Sequence, residues 1–356
     1  MGAPRTNVSL AAHTTLGLGG PARTFVEVET DDALVEAVRE ADAAGASVLL
    51  LGGGSNLVVA DAGFDGLVVR VATRGRAVSF EGDVAVVRLA AGEPWDAFVA
   101  WSVAEGLAGV ECLAGIPGTV GATPMQNVGA YGQEVADVVR SVSVWDRRDR
   151  VHREVPASEC AFGYRDSVFK GAARGRYVVL AVTFALRRGG PPSVRYGELQ
   201  RALGEAPPTL AAVRTTVLAL RRAKGMVWDP NDPETRSAGS FFTNPVVTAT
   251  QAVEVERRAR AMGALRDGDS MPQWRVDGGS VKLAAGWLVE RAGVAKGWTV
   301  DGAGVSRVHA LALVNRGGTT ASLLAMAAAV QAKVREAFGV ELAMEPERVG
   351  FDRGHS

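Results

Sequence analysis

Residues 113–132 read LAGIPGTVGATPMQNVGAYG, with five glycines, two prolines and no charged side chain in twenty residues. A solvated linker of that glycine content would carry Ser, Lys and Glu, whereas this stretch carries Ile116, Val120, Met125 and Val128. Backbone that is both glycine-rich and apolar lets main-chain N–H groups approach a flat or phosphorylated ligand with no side chain in the way. A buried packing turn would have the same composition. A second cluster bears on the choice. Residues 47–51 (SVLLL) form a short apolar run of strand type that leads directly into Gly52, Gly53, Gly54, Ser55 and Asn56, and another apolar run follows at 57–60. No helical pattern opens after these glycines and no acidic residue sits at the dinucleotide spacing, so this is not a G-x-G-x-x-G fingerprint. No Gly-Lys-Ser/Thr follows, so it is not a P-loop. What remains is a strand–turn–strand nest of amides suited to a pyrophosphate, or more plainly a tight hairpin.

Working outward, the first part of the chain opens as a βαβ pattern. Residues 25–29 alternate like a strand, and Thr30 or Asp31 can cap the helix that follows. In that helix Leu34, Val35, Val38 and Ala41 recur at helical spacing, and Gly45 ends it. Further strands are predicted at 68–71, 84–89, 138–145 and 177–186, with an amphipathic helix at Trp95–Ala104. Short strands and helices around two glycine nests predict an α+β unit and not a doubly wound sheet. The sequence RRGGPPS near 187–193 breaks all periodicity and marks a boundary. Helices are predicted at 209–222, 250–262 and Thr320–Phe338. The segment 225–239 contains two Asp-Pro steps and reads as an ordered loop beside a site, the alternative being a mobile surface loop.

The chain has 356 residues, 39 basic and 39 acidic, and a formal net charge of zero. This length exceeds one compact core and predicts two or three domains. The balanced charge leaves no footprint for nucleic acid or an anionic membrane. No apolar run reaches the ~20 residues of a membrane helix, and the N-terminus lacks a basic start with an apolar core, so a cytoplasmic protein is expected. Cys112 and Cys160 are expected to be reduced, packed thiols. The four histidines show no metal spacing.

Six segments in order carry a family resemblance: LGGGSN at 51–56, AGIPGTVGATPMQNVGAYG at 114–132, CAFGYRDSVFK at 160–170, SAGSFFTNP at 237–245, VKLAAGWLVERAG at 281–293 and MEPE at 344–347. Together they run from residue 51 to residue 347 and resemble the UDP-N-acetylenolpyruvoylglucosamine reductase (MurB) family, the likeness covering about residue 13 to residue 350. The resemblance implies an FAD enzyme that uses NADPH to reduce the enolpyruvyl ether of a UDP-sugar in peptidoglycan synthesis. It implies two FAD-binding subdomains of the vanillyl-alcohol oxidase/p-cresol methylhydroxylase type (1–70 and 71–190), then an α+β substrate-binding domain (191–346) and a tail (347–356). No His lies in either glycine nest, so the flavin is expected to be noncovalent; a monomer is expected.

The chemistry needs a hydride at C3, stabilisation of the charge that builds on C2 and the carboxylate, and a proton at C2. Arg165, in YRDS, can grip a carboxylate in a fixed geometry, although an Arg–Asp ion pair with Asp166 would be the ordinary fate of such a residue. Ser240, in GSFFTNP, would ordinarily be a turn or cap residue, and Glu345, in MEPE, a solvated carboxylate. The resemblance implies that Arg165 stabilises the enolate-like species, that Ser240 protonates C2 and that Glu345 orients or protonates the substrate carboxylate. It further implies FAD contacts at Gly52, Gly53, Gly54, Ser55, Asn56, Ile116, Pro117, Gly118, Gly121, Ala122, Gln126 and Asn127. Substrate contacts are implied at Tyr196, Lys224 and Asn244, the tyrosine being one that closes over the UDP in one subgroup. Two other readings stay open: a flavin enzyme oxidising another alcohol, and a flavin- or nucleotide-sugar-binding protein without activity.

Overall fold

The computed structural model describes residues 2–205, 207–266 and 268–351. These form two compact units, each assembled from separate pieces of chain. Unit 1 takes the residues up to Ser9, Pro21–Gly54 and Phe64–Val227; unit 2 takes Leu10–Gly20, Ser55–Gly63 and the chain from Trp228 onward.

Unit 1 holds two large sheets. The first orders its strands Arg5–Ser9, Pro21–Val28, Phe64–Val71 and Val48–Leu51, antiparallel at the first pair and parallel at the other two. Parallel neighbours need a crossover, and the helix Asp31–Ala43 lies in the chain between Pro21–Val28 and Val48–Leu51. Its Leu34, Val35, Ala37 and Val38 pack in one core with Val26, Val28 and Val69 of that sheet. The Thr30 hydroxyl accepts the Ala33 N–H at 3.2 Å, and Asp31 and Asp32 occupy the first turn, where the helix dipole favours negative charge.

The second sheet is antiparallel throughout, in the order Val151–Pro156, Val139–Asp146, Tyr177–Arg188, Val84–Ala90, Arg76–Glu81, with Leu107–Ala108 on the far end of Tyr177–Arg188. The helix Trp95–Ala104 brings Trp95 and Phe98 against Phe184 of the central strand. The Trp95 indole N–H also donates to the Leu113 carbonyl at 3.0 Å, so this helix fixes the start of the glycine-rich stretch. The helices Gly197–Leu203 and Leu210–Ala223 complete the unit, the second capped by Thr209.

Unit 2 contains a four-stranded antiparallel sheet, Ser237–Ser240, Ala312–Asn315, Ala303–Val305 and Thr299–Val300, and a three-stranded one, Val246–Val247, Val281–Leu283 and Gln273–Arg275. Its helices are Ala249–Ala261, Ala285–Arg291 and Thr320–Phe338. Their apolar faces meet Phe241, Phe242 and Leu313 in one core. Asp61 receives the N–H groups of Thr320 and Ala321 at 2.8 and 2.9 Å, so a residue from the early part of the chain caps the last helix.

Three expectations change. The runs on either side of Gly52–Asn56 do not make a hairpin: Val48–Leu51 pairs with Phe64–Val71, whereas Leu57–Val59 pairs in parallel with Glu347–Val349. Strand period reports which face is buried and says nothing about the partner. The compact units do not divide near 190; segment 191–227 belongs to unit 1, and unit 2 takes two early pieces of chain. Part of the expected tail is the strand Glu347–Val349, while residues 352–356 lie outside the described residues.

Candidate active site

In unit 1 the two glycine stretches meet. A Cβ built on Gly53 would stand 2.6 Å from the Gly118 Cα, and one on Gly52 would stand 2.5 Å from the Thr119 hydroxyl. Backbone lies against backbone there, with no room for any side chain, so the expected pair of hollows is one continuous surface. Within it Trp95 N–H donates to the Gly118 carbonyl at 3.1 Å, and Gly121 N–H donates to Ala91 at 2.8 Å. A Cβ on Gly121 would come within 2.5 Å of the Ala91 Cβ, so Gly121 has a packing role of its own. Ile116, Pro117, Gly118 and Gln126 are half-buried and Ala122 is exposed. Such a surface fits a broad, flat group that must come against bare main chain.

Asn127 is used inside the protein. Its amide donates to the Glu134 carboxylate at 2.7 Å and the Gly163 carbonyl at 3.0 Å, and its oxygen accepts the Ala136 N–H at 3.0 Å. These bonds brace the hairpin made by Gly129–Ala130 and Gln133–Glu134 against the 160s loop. Arg165 sits on that loop, in a turn closed by Gly163 N–H to the Asp166 carbonyl at 3.0 Å. Its φ is +55°, a region uncommon for a residue with a side chain. The half-buried guanidinium donates to the Gly129 carbonyl at 2.9 Å, while Asp166 accepts from Ser167 N–H at 2.8 Å.

Ser240 and Glu345 lie in unit 2. Ser240 ends the strand Ser237–Ser240, whose pairing slips out of register between Ser237 and Ser240 around Gly239, with φ +74°. Phe241 and Phe242 behind it are buried and meet edge to face at 5.5 Å. Phe242 bridges Met344, and the Phe241 carbonyl accepts the Glu345 N–H at 2.9 Å. Backbone pairing therefore holds Glu345 beside the residue next to Ser240. Asn56 fastens the same segment: its amide donates to the Glu345 carbonyl at 3.4 Å, and its own carbonyl accepts the Glu347 N–H at 2.9 Å. The Asn244 oxygen accepts the Ala285 N–H at 2.9 Å, which caps the helix Ala285–Arg291. Of the residues implied to contact FAD, Ser55 and Asn56 belong to unit 2 and the others to unit 1.

Tyr196 and Lys224 both fall in unit 1. Tyr196 immediately precedes the helix Gly197–Leu203, is exposed, and meets Tyr131 edge to face at 5.6 Å. Lys224 closes the helix Leu210–Ala223, pairs with Glu198 at 2.6 Å and lies 5.9 Å from the Tyr131 ring. Burial pushes the Tyr131 phenol up to about 12. Tyr131 was not singled out from sequence; its place in the αL half of a two-residue turn, with φ +50° before Gly132 at +78°, is the signal that Tyr-Gly between two short strands could have given. Burial also raises the Cys112 thiol to about 12 and the Cys160 thiol to about 11, as expected for inert packed thiols. Among the described residues no group of His, Cys, Asp and Glu could hold a metal ion, and no helix is long and apolar enough to cross a membrane.

A family model described as "FAD binding domain" matches residues 22–153, and one described as "UDP-N-acetylenolpyruvoylglucosamine reductase, C-terminal domain" matches residues 231–349. A protein named UDP-N-acetylenolpyruvoylglucosamine reductase from Thermobifida fusca is 50% identical, the match covering 97% of each chain. One of the same name from Saccharopolyspora erythraea is 52% identical over 96% of this chain and 95% of the relative. The crystal structure of the UDP-N-acetylenolpyruvylglucosamine reductase (MurB) of Thermus caldophilus superposes with a TM-score of 0.65 at 26% identity, covering 98% of this chain and 100% of that one.

Proposed function

Because this chain belongs to the UDP-N-acetylenolpyruvoylglucosamine reductase family, and carries its FAD-binding domain, we propose that it reduces UDP-N-acetylglucosamine enolpyruvate to UDP-N-acetylmuramate. The electrons come from NADPH, and the reaction supplies a peptidoglycan precursor in the cytoplasm. The joined glycine surface, with Gly52–Gly54, Ile116, Pro117, Gly118, Gly121, Ala122 and Gln126, is the proposed seat of a noncovalent FAD, and Ser55 and Asn56 are further proposed contacts. Asn127 acts there through its backbone, since its side chain is bonded within the protein.

Held in that seat, FAD would supply, after reduction by NADPH, the hydride for C3 of the enolpyruvyl group. Arg165 grips the substrate carboxylate and offsets the negative charge that builds on C2. The Ser240 hydroxyl delivers its proton to C2, completing addition of H⁻ and H⁺ across the double bond, and regains a proton from solvent. A serine is a weak acid, so this step depends on a carbanion-like neighbour and on a rigid, water-poor setting; the buried Phe241 and Phe242 supply the rigidity. Glu345 orients the carboxylate. Lys224 and Tyr196 take the diphosphate and the UDP moiety, and Asn244 contributes at the reacting end.

The observation that carries the reading is the backbone pairing that holds Glu345 beside the Ser240–Phe241 step, although the two come from distant parts of the sequence. An alcohol oxidase would have no use for such a proton donor. In anaerobic spectroscopy, the yellow holoenzyme should bleach with NADPH and regain colour with UDP-N-acetylglucosamine enolpyruvate. Ser240→Ala should bleach normally and recolour roughly 10²–10⁴-fold more slowly. Equal loss in both halves would refute the role of Ser240, and failure of the unaltered protein to recolour would refute the activity.

A further inference from the structure

Glu111 lies in the interior of unit 1 with no exposed surface, and nothing in the chemistry above uses it. One of its carboxyl oxygens accepts the Gly109 N–H at 2.7 Å; the other accepts the Ser193 N–H at 2.7 Å and the Gln133 amide at 3.3 Å. Gln133, itself buried, returns its oxygen to the Cys112 N–H at 2.9 Å. The Cys112 thiol then donates to the Ser193 carbonyl at 3.0 Å. A single peptide segment at Ser193 is thus held at its N–H by Glu111 and at its carbonyl by Cys112. Buried polar groups are costly unless matched, and here the carboxyl is matched by groups from three stretches of chain.

What this network holds is informative. Ser193 is three residues before Tyr196, and Gln133 is two residues after Tyr131. The network therefore grips the chain just outside both members of the edge-to-face tyrosine pair. The turn and the arm also touch directly, since a Cβ on Gly132 would stand 3.1 Å from the Arg195 Cβ. Beyond Tyr196, the first turn of Gly197–Leu203 carries Glu198, the partner of Lys224. We propose that Glu111 is a positioning residue for the UDP end of the substrate: through Ser193 it sets where the Tyr196 arm leaves the core, and so where Tyr196 and Lys224 stand. This rests on the reading of Tyr196 and Lys224 as substrate contacts.

Glu111→Gln keeps the shape but has one acceptor oxygen, so its NH₂ must face either the Gly109 or the Ser193 N–H and leave that donor unmatched. In the FAD-loaded enzyme, KM for the UDP-substrate should rise ~10-fold, the scale of one lost buried hydrogen bond. The limiting rate of bleaching at saturating NADPH should stay within about twofold, since a lost positioning contact weakens binding of one substrate and leaves the other half-reaction alone. Cys112→Ala, which removes the thiol donor and adds no atoms to the core, should raise KM in the same direction by less. Amide hydrogen exchange over 193–196 should accelerate in both variants. Glu111→Asp, which restores two acceptor oxygens, should recover part of the KM. Unchanged exchange and KM in the folded variants would overturn the positioning role. Tyr196→Ala separates the premise: if that variant leaves KM for the UDP-substrate unchanged, the substrate reading of Tyr196 falls and the proposal with it, whereas a raised KM there with unchanged Glu111→Gln defeats the proposal alone.

Discussion

Arg165 illustrates what a residue's surroundings add to its identity. In sequence it stands beside Asp166, and an ion pair between neighbours is the ordinary expectation; in the structure the Asp166 carboxylate takes the Ser167 N–H and the guanidinium reaches the Gly129 carbonyl. The left-handed backbone at Arg165 is what turns the two apart. A lysine would keep the charge and lose the planar fork, so Arg165→Lys should slow recolouring by the UDP-substrate by about 10²-fold with little change in flavin content. Loss of bound flavin instead would make Arg165 a structural residue. Gly53 makes the complementary case, where the important property is the absence of a side chain. Its missing Cβ faces the Gly118 backbone at 2.6 Å, which cannot yield as a flexible side chain would. Gly53→Ala should therefore purify with most of its visible flavin absorbance gone, because the seat must open to admit the methyl. Full flavin occupancy in that variant would separate the glycine contact from the cofactor.

Among elements, legibility followed local chemistry. Helices with a side-chain cap were readable nearly to the residue: Thr30 before Asp31–Ala43, Thr209 before Leu210–Ala223, and Thr320–Phe338 with Thr319 and Ser322 exchanging bonds at its start. Thr209→Ala should cost about 1 kcal/mol, measurable as a lower denaturation midpoint without loss of activity. The short helices Gly197–Leu203 and Ala285–Arg291 escaped notice because two turns are too few for a 3.6-residue period to show, and neither has its own side-chain cap; the second borrows its cap from Asn244, far away in sequence. The strand Arg76–Glu81 is exposed along its whole length and so lacks the alternation that reveals a half-buried strand. Asp146, at the end of Val139–Asp146, shows how one buried carboxylate can secure a sheet. Hydrogen bonds from Arg176 hold its carboxyl well below the usual range, against the opposing effect of burial. A depressed native pKa contributes stability that is complete above the unfolded value of ~3.9 and disappears as pH falls toward the folded value. Asp146→Asn should therefore lower the melting temperature most near neutral pH, with the gap to the unaltered protein narrowing below about pH 4. A gap that is constant with pH would contradict the linkage.

At the scale of the molecule, the sequence motifs name candidate residues along the chain but cannot say which pieces fold together. Periodicity marks surfaces and caps; membership of a unit depends on pairings between distant segments, such as Leu57–Val59 with Glu347–Val349 and Asn315 with the Leu16 and Gly17 carbonyls. This is why a boundary placed near 190 on local grounds differs from the observed division. It also argues against treating the matched C-terminal region as a separable module. A fragment of residues 228–351 would leave Glu347–Val349 without its parallel neighbour, Thr320 without Asp61, and Asn315 without its acceptors. Its thermal melt, followed by circular dichroism, should be broad and non-cooperative; a sharp transition would show that the early segments are dispensable.

The parallel pairing of Leu57–Val59 with Glu347–Val349 also orders events during synthesis. Emerging from the ribosome, residues 57–59 must wait unpaired until nearly all of the described chain has been translated, because their partner lies some 290 residues further on, at 347–349. A nascent protein in that condition exposes an open β edge for the whole interval, and so depends on speed of elongation or on chaperone cover more than a chain of tandem, contiguous domains would.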